Sequence, residues 1–278
     1  MTRPFIKWAG GKYRIAEHLN SYRPKEFNTY FEPMVGSGGS FFKNPPKNAY
    51  LSDINSKLID TYKAIKDNLV FDQLLNLLWD MERVPHTKEG YKKIRDRFNN
   101  DNLHILETAS YFIYLNKMCF NGLYRENSKG HFNVPMGDKR TFTIDDKNLR
   151  SVNELLQNVE IACHSYEDIK PKKGDFVYLD PPYIPLDKVS FTQYSKSDFG
   201  EKDHRKLAEF CSKLDKIGVK YMISNSNTDM TKDIYVHSEH IQSHEIQVMR
   251  TISGSKNNRG MAGELIITNY NKYDGRLF

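Results

Sequence analysis

Thr29-Tyr30-Phe31-Glu32-Pro33 runs through Met34 into Val35-Gly36-Ser37-Gly38-Gly39 and then into apolar Phe41 and Phe42. That order reads as a short strand, a glycine-rich turn and the start of a helix. Glycine accepts positive φ and carries no Cβ, so such a turn lets backbone approach a ligand closely. Ala49-Tyr50-Leu51-Ser52-Asp53 follows as a second short strand that ends on an acid, and residues 57–66 read as a helix. An acid about 20 positions beyond a glycine-rich turn is the spacing with which Rossmann-like folds hold a ribose diol. In Asp53-Ile54-Asn55-Ser56 the competing role for the same carboxylate is that of a helix N-cap.

The alternation of strand and helix resumes late in the chain. Strands are predicted at 159–163, 175–179 and 220–224, a helix at 202–216, and a final pair of strands at 241–250 and 264–270. Between the two stretches, residues 68–117 carry helical periodicity, in Leu74, Leu75, Leu77 and Leu78 and again in Ile105, Ala109, Phe112, Ile113 and Asn116. From Phe120 to about Lys147, Gly122, Gly130, Pro135 and Gly137 separate short polar and aromatic pieces, which predicts an exposed hairpin and loops. The expected architecture is a Rossmann-like α/β sheet. A catalytic domain of residues 1–56 and 145–278 is split by an insertion at 57–144 that is mostly helical and ends in a hairpin loop.

The chemistry concentrates in Asp180-Pro181-Pro182-Tyr183, directly after apolar Phe176-Val177-Tyr178-Leu179. The carboxyl end of a strand is where open α/β sheets keep their ligands. An exocyclic amine offers two N–H donors, while its lone pair is delocalised into the ring and is a poor nucleophile. Asp180 can accept one N–H and the Pro181 carbonyl the other, and neither proline supplies a competing backbone donor. Holding both hydrogens favours a pyramidal nitrogen with its lone pair turned toward an incoming methyl group, an arrangement that matters most in the transition state. Tyr183 would stack on the base. The bland alternative is a strand-ending Asp followed by a Pro-Pro turn, and the glycine-rich turn upstream weighs against it.

Composition narrows the partners. A formal charge of +6 and a pI near 8.9 favour a polyanion without requiring one. The 17 Tyr and 16 Phe, interleaved with Lys and Arg, suit base stacking, although most belong to a core. Cys119, Cys163 and Cys211 are an odd number with no CxxC spacing, so neither a disulfide framework nor a zinc site is indicated, and no cysteine flanks the Asp-Pro-Pro-Tyr motif to form a covalent intermediate. His237, His240 and His244 lack an acid or cysteine to complete a ligand set, and no metal is expected. No apolar run approaches the roughly 18 residues of a membrane span, nor does the opening MTRPFIKWAGGK look like an export signal. A cytoplasmic protein without a membrane or an obligate protein partner is expected.

The order Lys7-Trp8-Ala9-Gly10-Gly11-Lys12, Glu32-Pro33-Met34-Val35-Gly36-Ser37-Gly38, Ser52-Asp53-Ile54-Asn55, Asn121-Gly122-Leu123-Tyr124-Arg125 and Asp180-Pro181-Pro182-Tyr183 resembles the DNA adenine methylase family of the D12 class. Gly130 to Gly137, Phe191-Thr192-Gln193-Tyr194 and the closing Glu264 to Asn269 extend the likeness over nearly the whole chain. The resemblance implies an S-adenosylmethionine-dependent methyltransferase acting on adenine N6 in double-stranded DNA. By it, Trp8, Ala9, Gly10, Gly11, Lys12, Glu32, Pro33, Gly36, Gly38, Asp53 and Asp180 contact the methyl donor. Tyr166, in the turn His164 to Asp168, covers the donor's adenine or is simply a packed surface aromatic.

In the same family Phe120 and Asn121 match positions that wedge into the duplex, Leu123, Arg125 and Pro135 match base-reading positions, and Lys7 is a candidate reader of a guanine. An Arg presents a bidentate fork to guanine O6 and N7, although a lone loop Arg is often only solvated. The target adenine must leave the stack, because N6 in a paired base cannot reach an enclosed cup. These matches favour GATC. Asp138 and Lys139 depart from GATC-reading members, which often carry Arg and an aromatic there, and Asp138 would repel a nearby phosphate. Arg250, Ser253, Lys256 and Arg259 are candidate phosphate contacts or a solvated loop. The rivals are an amino methyltransferase for cytosine N4, RNA or a protein glutamine, and a DNA-binding protein that keeps the fold without the activity.

Overall fold

The structure, a computed structural model, describes residues 1–185, 199–249 and 261–271. Seven strands stand among them: β1 (Tyr30–Glu32), β2 (Ala49–Ser52), β3 (Val159–Ala162), β4 (Phe176–Leu179), β5 (Lys220–Ser226), β6 (Gln242–Met249) and β7 (Met261–Thr268). The described helices are α1 (Ala16–Tyr22), α2 (Gly39–Lys43), α3 (Ser56–Lys66), α4 (Asn68–Glu82), α5 (Lys88–Asn100), α6 (Ile105–Met118), α7 (Asp146–Leu156), α8 (Glu201–Lys216) and α9 (Asp229–Tyr235). The expected α/β class is what the chain adopts. No described helix is long and apolar enough to cross a membrane.

The described residues pack into two compact units. The first comprises Met1–Glu17 and Val35–Ser165. In it β2 and β3 pair in parallel, Ala49 opposite Val159 and Ser52 opposite Ala162. α3 buries Leu58, Ile59, Tyr62 and Ile65, and α6 buries Phe112, Ile113, Leu115 and Met118. Asn55 caps α3 by accepting from Leu58 N at 2.9 Å. The cap is therefore not Asp53, which removes one of the two roles open to that carboxylate.

The stretch after α6 corrects the sequence reading. A hairpin is present, with bridges Cys119 to Met136 and Glu126 to Phe132, but it is not uniformly exposed. Phe132, Val134 and Phe142 are all buried. The amide of Asn99 grips the Phe132 backbone on both sides, accepting from its N–H and donating to its carbonyl at 2.9 Å each. Tyr91 Oη donates to the Val134 carbonyl at 2.9 Å. Glycines and prolines mark chain reversals correctly, but they do not reveal which side of the hairpin a distant helix covers.

The second unit comprises His18–Met34 and Tyr166–Phe278. β4 lies between β1 and β5 and is parallel to both. β7 runs antiparallel to β5 and to β6, with Ser224 opposite Ile266 and Ser226 opposite Glu264. All four residues of β4 are buried, as a strand covered on both faces requires. Asp175, also buried, accepts from Thr29 N at 3.1 Å and Lys172 N at 2.7 Å, which ties the start of β4 to the start of β1.

α8 turns Leu207, Cys211, Leu214 and His204 inward. Burial holds the His204 imidazole down at about 4 against an ordinary 6.5, and its Nδ1 pairs with the Tyr235 hydroxyl at 2.7 Å. Protonation then favours the unfolded chain, so this residue's contribution to stability is complete above pH 6.5 and is lost as pH falls toward 4. Denaturant titrations across that range should show up to about 3 kcal/mol of acid destabilisation that is missing from a His204→Gln protein; equal slopes in both would contradict the buried neutral ring.

Candidate functional site

In the first unit the glycine-rich turn is closed by its own backbone. Gly36 lies at φ +48° and Gly38 at φ +67°, and Gly38 N donates to Val35 O at 2.7 Å. A Cβ on Gly36 would fall 2.5 Å from Trp8 Cδ1, so the indole lies against the turn. Asp53 reaches in from the end of β2. Its Oδ2 accepts from Gly36 N at 3.1 Å and its Oδ1 from Asn55 N at 3.0 Å. A carboxylate has roughly four acceptor sites, so capacity remains for a hydroxyl donor. Burial raises the Asp53 carboxyl above its ordinary value, and the N–H groups of Asn55, Gly36 and Ile54 pull the other way.

Ala9, Gly10 and Gly11 are exposed, while Lys12 is buried with Nζ on the Gly10 carbonyl. Tyr124 also lies against Trp8, its ring stacked at 5.1 Å and 19°. Lys7 is exposed, but its backbone is pinned by the buried Asn116 amide, which accepts from Lys7 N at 2.9 Å and donates to Lys7 O at 2.8 Å. The Lys7 stem crosses Gly122 so closely that a Cβ there would sit 2.4 Å from Lys7 Cδ.

The hairpin brings the remaining expected DNA contacts together. Phe120 N donates to Pro135 O at 3.0 Å. Phe120, Asn121, Arg125 and Pro135 are exposed and Leu123 is half-buried. Asn121 has φ 57°, and it is the one described residue other than glycine with positive φ. Such strain persists where the surroundings impose it, commonly at functional positions. Arg125 Nε donates to Asn133 Oδ1 at 2.9 Å, which aims the guanidinium. Asp138 is exposed, and Lys139 Nζ donates to the Lys117 carbonyl at 3.0 Å.

In the second unit the Asp180 turn is held by its neighbouring strands. Ser224 on β5 donates from Oγ to Asp180 Oδ1 at 2.8 Å. Having spent its one proton, Ser224 must accept from the Tyr178 hydroxyl 2.9 Å away. Pro181 is buried and Pro182 exposed. Tyr183 Oη donates to Glu264 Oε2 on β7 at 2.8 Å. Ile184 N donates to Asn225 Oδ1 at 3.0 Å, and Ser226 Oγ donates to Ile184 O. Burial first, then the Asp180 charge, lifts the Tyr178 and Tyr183 phenols well above their ordinary range, so both remain donors.

Glu32, at the end of β1, is buried and accepts from Tyr30 Oη at 2.7 Å, and the adjoining Pro33 is buried as well. Tyr166 is buried edge-on to Phe210 at 5.4 Å. Phe191 to Tyr194, Arg250, Ser253, Lys256 and Arg259 lie outside the described residues. Among the described residues no group of three His, Cys, Asp or Glu side chains could hold a metal. His237 meets Ser212 and His240 meets Asp215.

A family model for the D12 class of N6 adenine-specific DNA methyltransferases matches residues 8–252. The chain belongs to that family. As a D12-class enzyme it is an adenine-specific DNA methyltransferase, and its family implies a methyl donor of the S-adenosylmethionine type and a DNA substrate. It is 39% identical over 277 residues to the Type II methyltransferase M1.LlaDCHI of Lactococcus lactis subsp. cremoris, covering 96% of this chain and 95% of that one. It is 41% identical to the Type II methyltransferase M.MjaIII of Methanocaldococcus jannaschii, covering 97% and 99%. The DNA adenine methylase of Escherichia coli is 34% identical, covering 95% and 94%.

Against this D12-class background, sequence reasoning missed Asn116 and Tyr124, which hold Lys7 and Trp8 in the first unit, and Ser224 and Glu264, which hold Asp180 and Tyr183 in the second. Glu264 and Tyr124 stood within quoted motifs, so a signal existed for them. Ser224 and Asn116 carry no local signal, because each acts through a strand register or a helix face. Gly36→Ala forces a Cβ into both a left-handed backbone and the Trp8 indole, so stability should fall by at least about 1–2 kcal/mol. Emission from Trp8, isolated in a Trp79→Phe background, should shift with it. Unchanged emission and stability would show that the indole is not seated on the turn.

Proposed function

We propose that this enzyme transfers methyl from S-adenosylmethionine to N6 of an adenine extruded from duplex DNA, within GATC. The observation that carries the reading is the Asp180 carboxylate oriented by Ser224 at the head of a Pro-Pro turn. Asp180 accepts one N–H of the amine and the Pro181 carbonyl the other, and neither Pro181 nor Pro182 brings an N–H to compete. Tyr183, steadied through its hydroxyl by Glu264, offers its ring to the base. When bound, the donor supplies a sulfonium-activated methyl group.

The assignment of the donor to Trp8, Ala9, Gly10, Gly11, Lys12, Glu32, Pro33, Gly36, Gly38, Asp53 and Asp180 is supported by an acidic acceptor held on a glycine-rich turn against which the Trp8 indole lies. Tyr166 joins them at the donor's adenine. Residues 57–144 form the target-recognition insertion and residues 1–56 and 145–278 the catalytic domain. Lys7, Leu123, Arg125 and Pro135 read bases, while exposed Phe120 and strained Asn121 fill the gap left by the extruded adenine. Arg125 is suited to a guanine edge because Asn133 occupies its Nε.

Plasmid from methylase-deficient cells expressing this chain should resist a GATC endonuclease blocked by adenine methylation, and Asp180→Ala should abolish that resistance while duplex binding persists. Methylation-sensitive sequencing of the same DNA reports base and context together: modified adenine elsewhere removes GATC, and modified cytosine removes the amine assignment. Arg125→Ala should cost roughly 1 to 3 kcal/mol of discrimination at one base pair. A uniform loss on all sequences would instead make Arg125 a phosphate contact.

A further inference from the structure

Tyr124 lies between Leu123 and Arg125, and its ring belongs to an aromatic stack inside the first unit. Leu123 is extended, with φ −84° and ψ 117°, and successive side chains of an extended segment leave on opposite faces. Arg125 accordingly reaches solvent, while the Tyr124 ring stacks on Phe112 at 4.9 Å and 20° and on Trp8 at 5.1 Å and 19°. Phe132, across the hairpin from Glu126, closes the stack at 5.3 Å. The phenol donates to Glu126.

One side chain therefore touches Trp8, which lies on the Gly36 turn whose N–H Asp53 accepts. The indole lies so close to Gly36 that a Cβ there would fall 2.5 Å from Trp8 Cδ1. A shift of the hairpin on engaging bases would be felt at Trp8 through rigid, flat contacts.

We propose that Tyr124 is a positioning residue that couples base reading by Asn121–Arg125 to methyl-donor binding at Trp8 and Asp53, so that duplex and donor tighten one another's binding. The coupling rests on the donor and base-reading assignments above, and it adds a residue that touches neither ligand in that scheme. Linkage makes the effect reciprocal, so it is measurable from either side.

The test is calorimetric titration of the full chain with sinefungin, a non-reactive donor analogue, without duplex and with a saturating short duplex carrying the site found by sequencing. Wild type should bind sinefungin about fivefold or more tightly when duplex is present. Tyr124→Ala should bring that ratio close to one, and Tyr124→Phe, which keeps the stack, should restore most of it. Tyr124→Leu serves in place of Tyr124→Ala if the smaller side chain lowers the melting temperature too far. A wild-type ratio near one, or an undiminished ratio in both Tyr124→Ala and Tyr124→Leu, overturns the coupling. Asp53→Ala separates the two levels: if it binds sinefungin as wild type does, the donor assignment fails, whatever Tyr124 does.

Discussion

The hydrogen bond from Ser224 Oγ to Asp180 Oδ1 determines what the end of β4 can do. The bond fixes the direction of one oxygen of the carboxylate that ends β4. Ser224 can supply that bond because β4 and β5 pair with Leu179 opposite Ile223. A slip of one residue in that register would carry the hydroxyl to the opposite face of the sheet. The clamps at Asp175 and the buried run Phe176–Leu179 matter for the same reason: they hold the register on which a single proton depends.

In the first unit a carboxylate, Asp53, is held directly against the backbone of a glycine-rich turn. Glycine at position 36 lets the turn adopt positive φ and lets the Trp8 indole lie against it. Asn116 then uses both ends of its buried amide to fix the backbone of Lys7, just before that indole. Strain at Asn121 stands beside the exposed Phe120, on a hairpin whose other face is buried by Phe132 and Val134. Order behind the hairpin thus supports an unusual backbone in front of it.

Much of this was legible before any coordinates. The strands around the glycine-rich turn and the Asp-Pro-Pro-Tyr motif stand where alternation and turn residues put them, and the long helices α3, α4, α6 and α8 follow their apolar periodicity. The seven-residue helices α1 and α9 escaped, since two turns carry too little periodicity to distinguish from a loop, and their stability comes from packing. α7 escaped differently, following a loop-like stretch that masked the Asp145 cap. The hairpin's buried face escaped because the bonds that bury it come from Asn99 and Tyr91, 33 and 43 residues away.

Residue chemistry picks out groups by local properties: a glycine-rich turn admits close approach, a strand-ending acid accepts hydrogen bonds, and a Pro-Pro corner brings no competing donor. The folded chain decided how those groups are held: that Asn55 and not Asp53 caps α3, that Tyr178 donates through Ser224 to Asp180, and that Tyr124 backs Trp8. Strand register and helix-face packing join residues tens of positions apart, so no window of sequence contains both partners of such a contact.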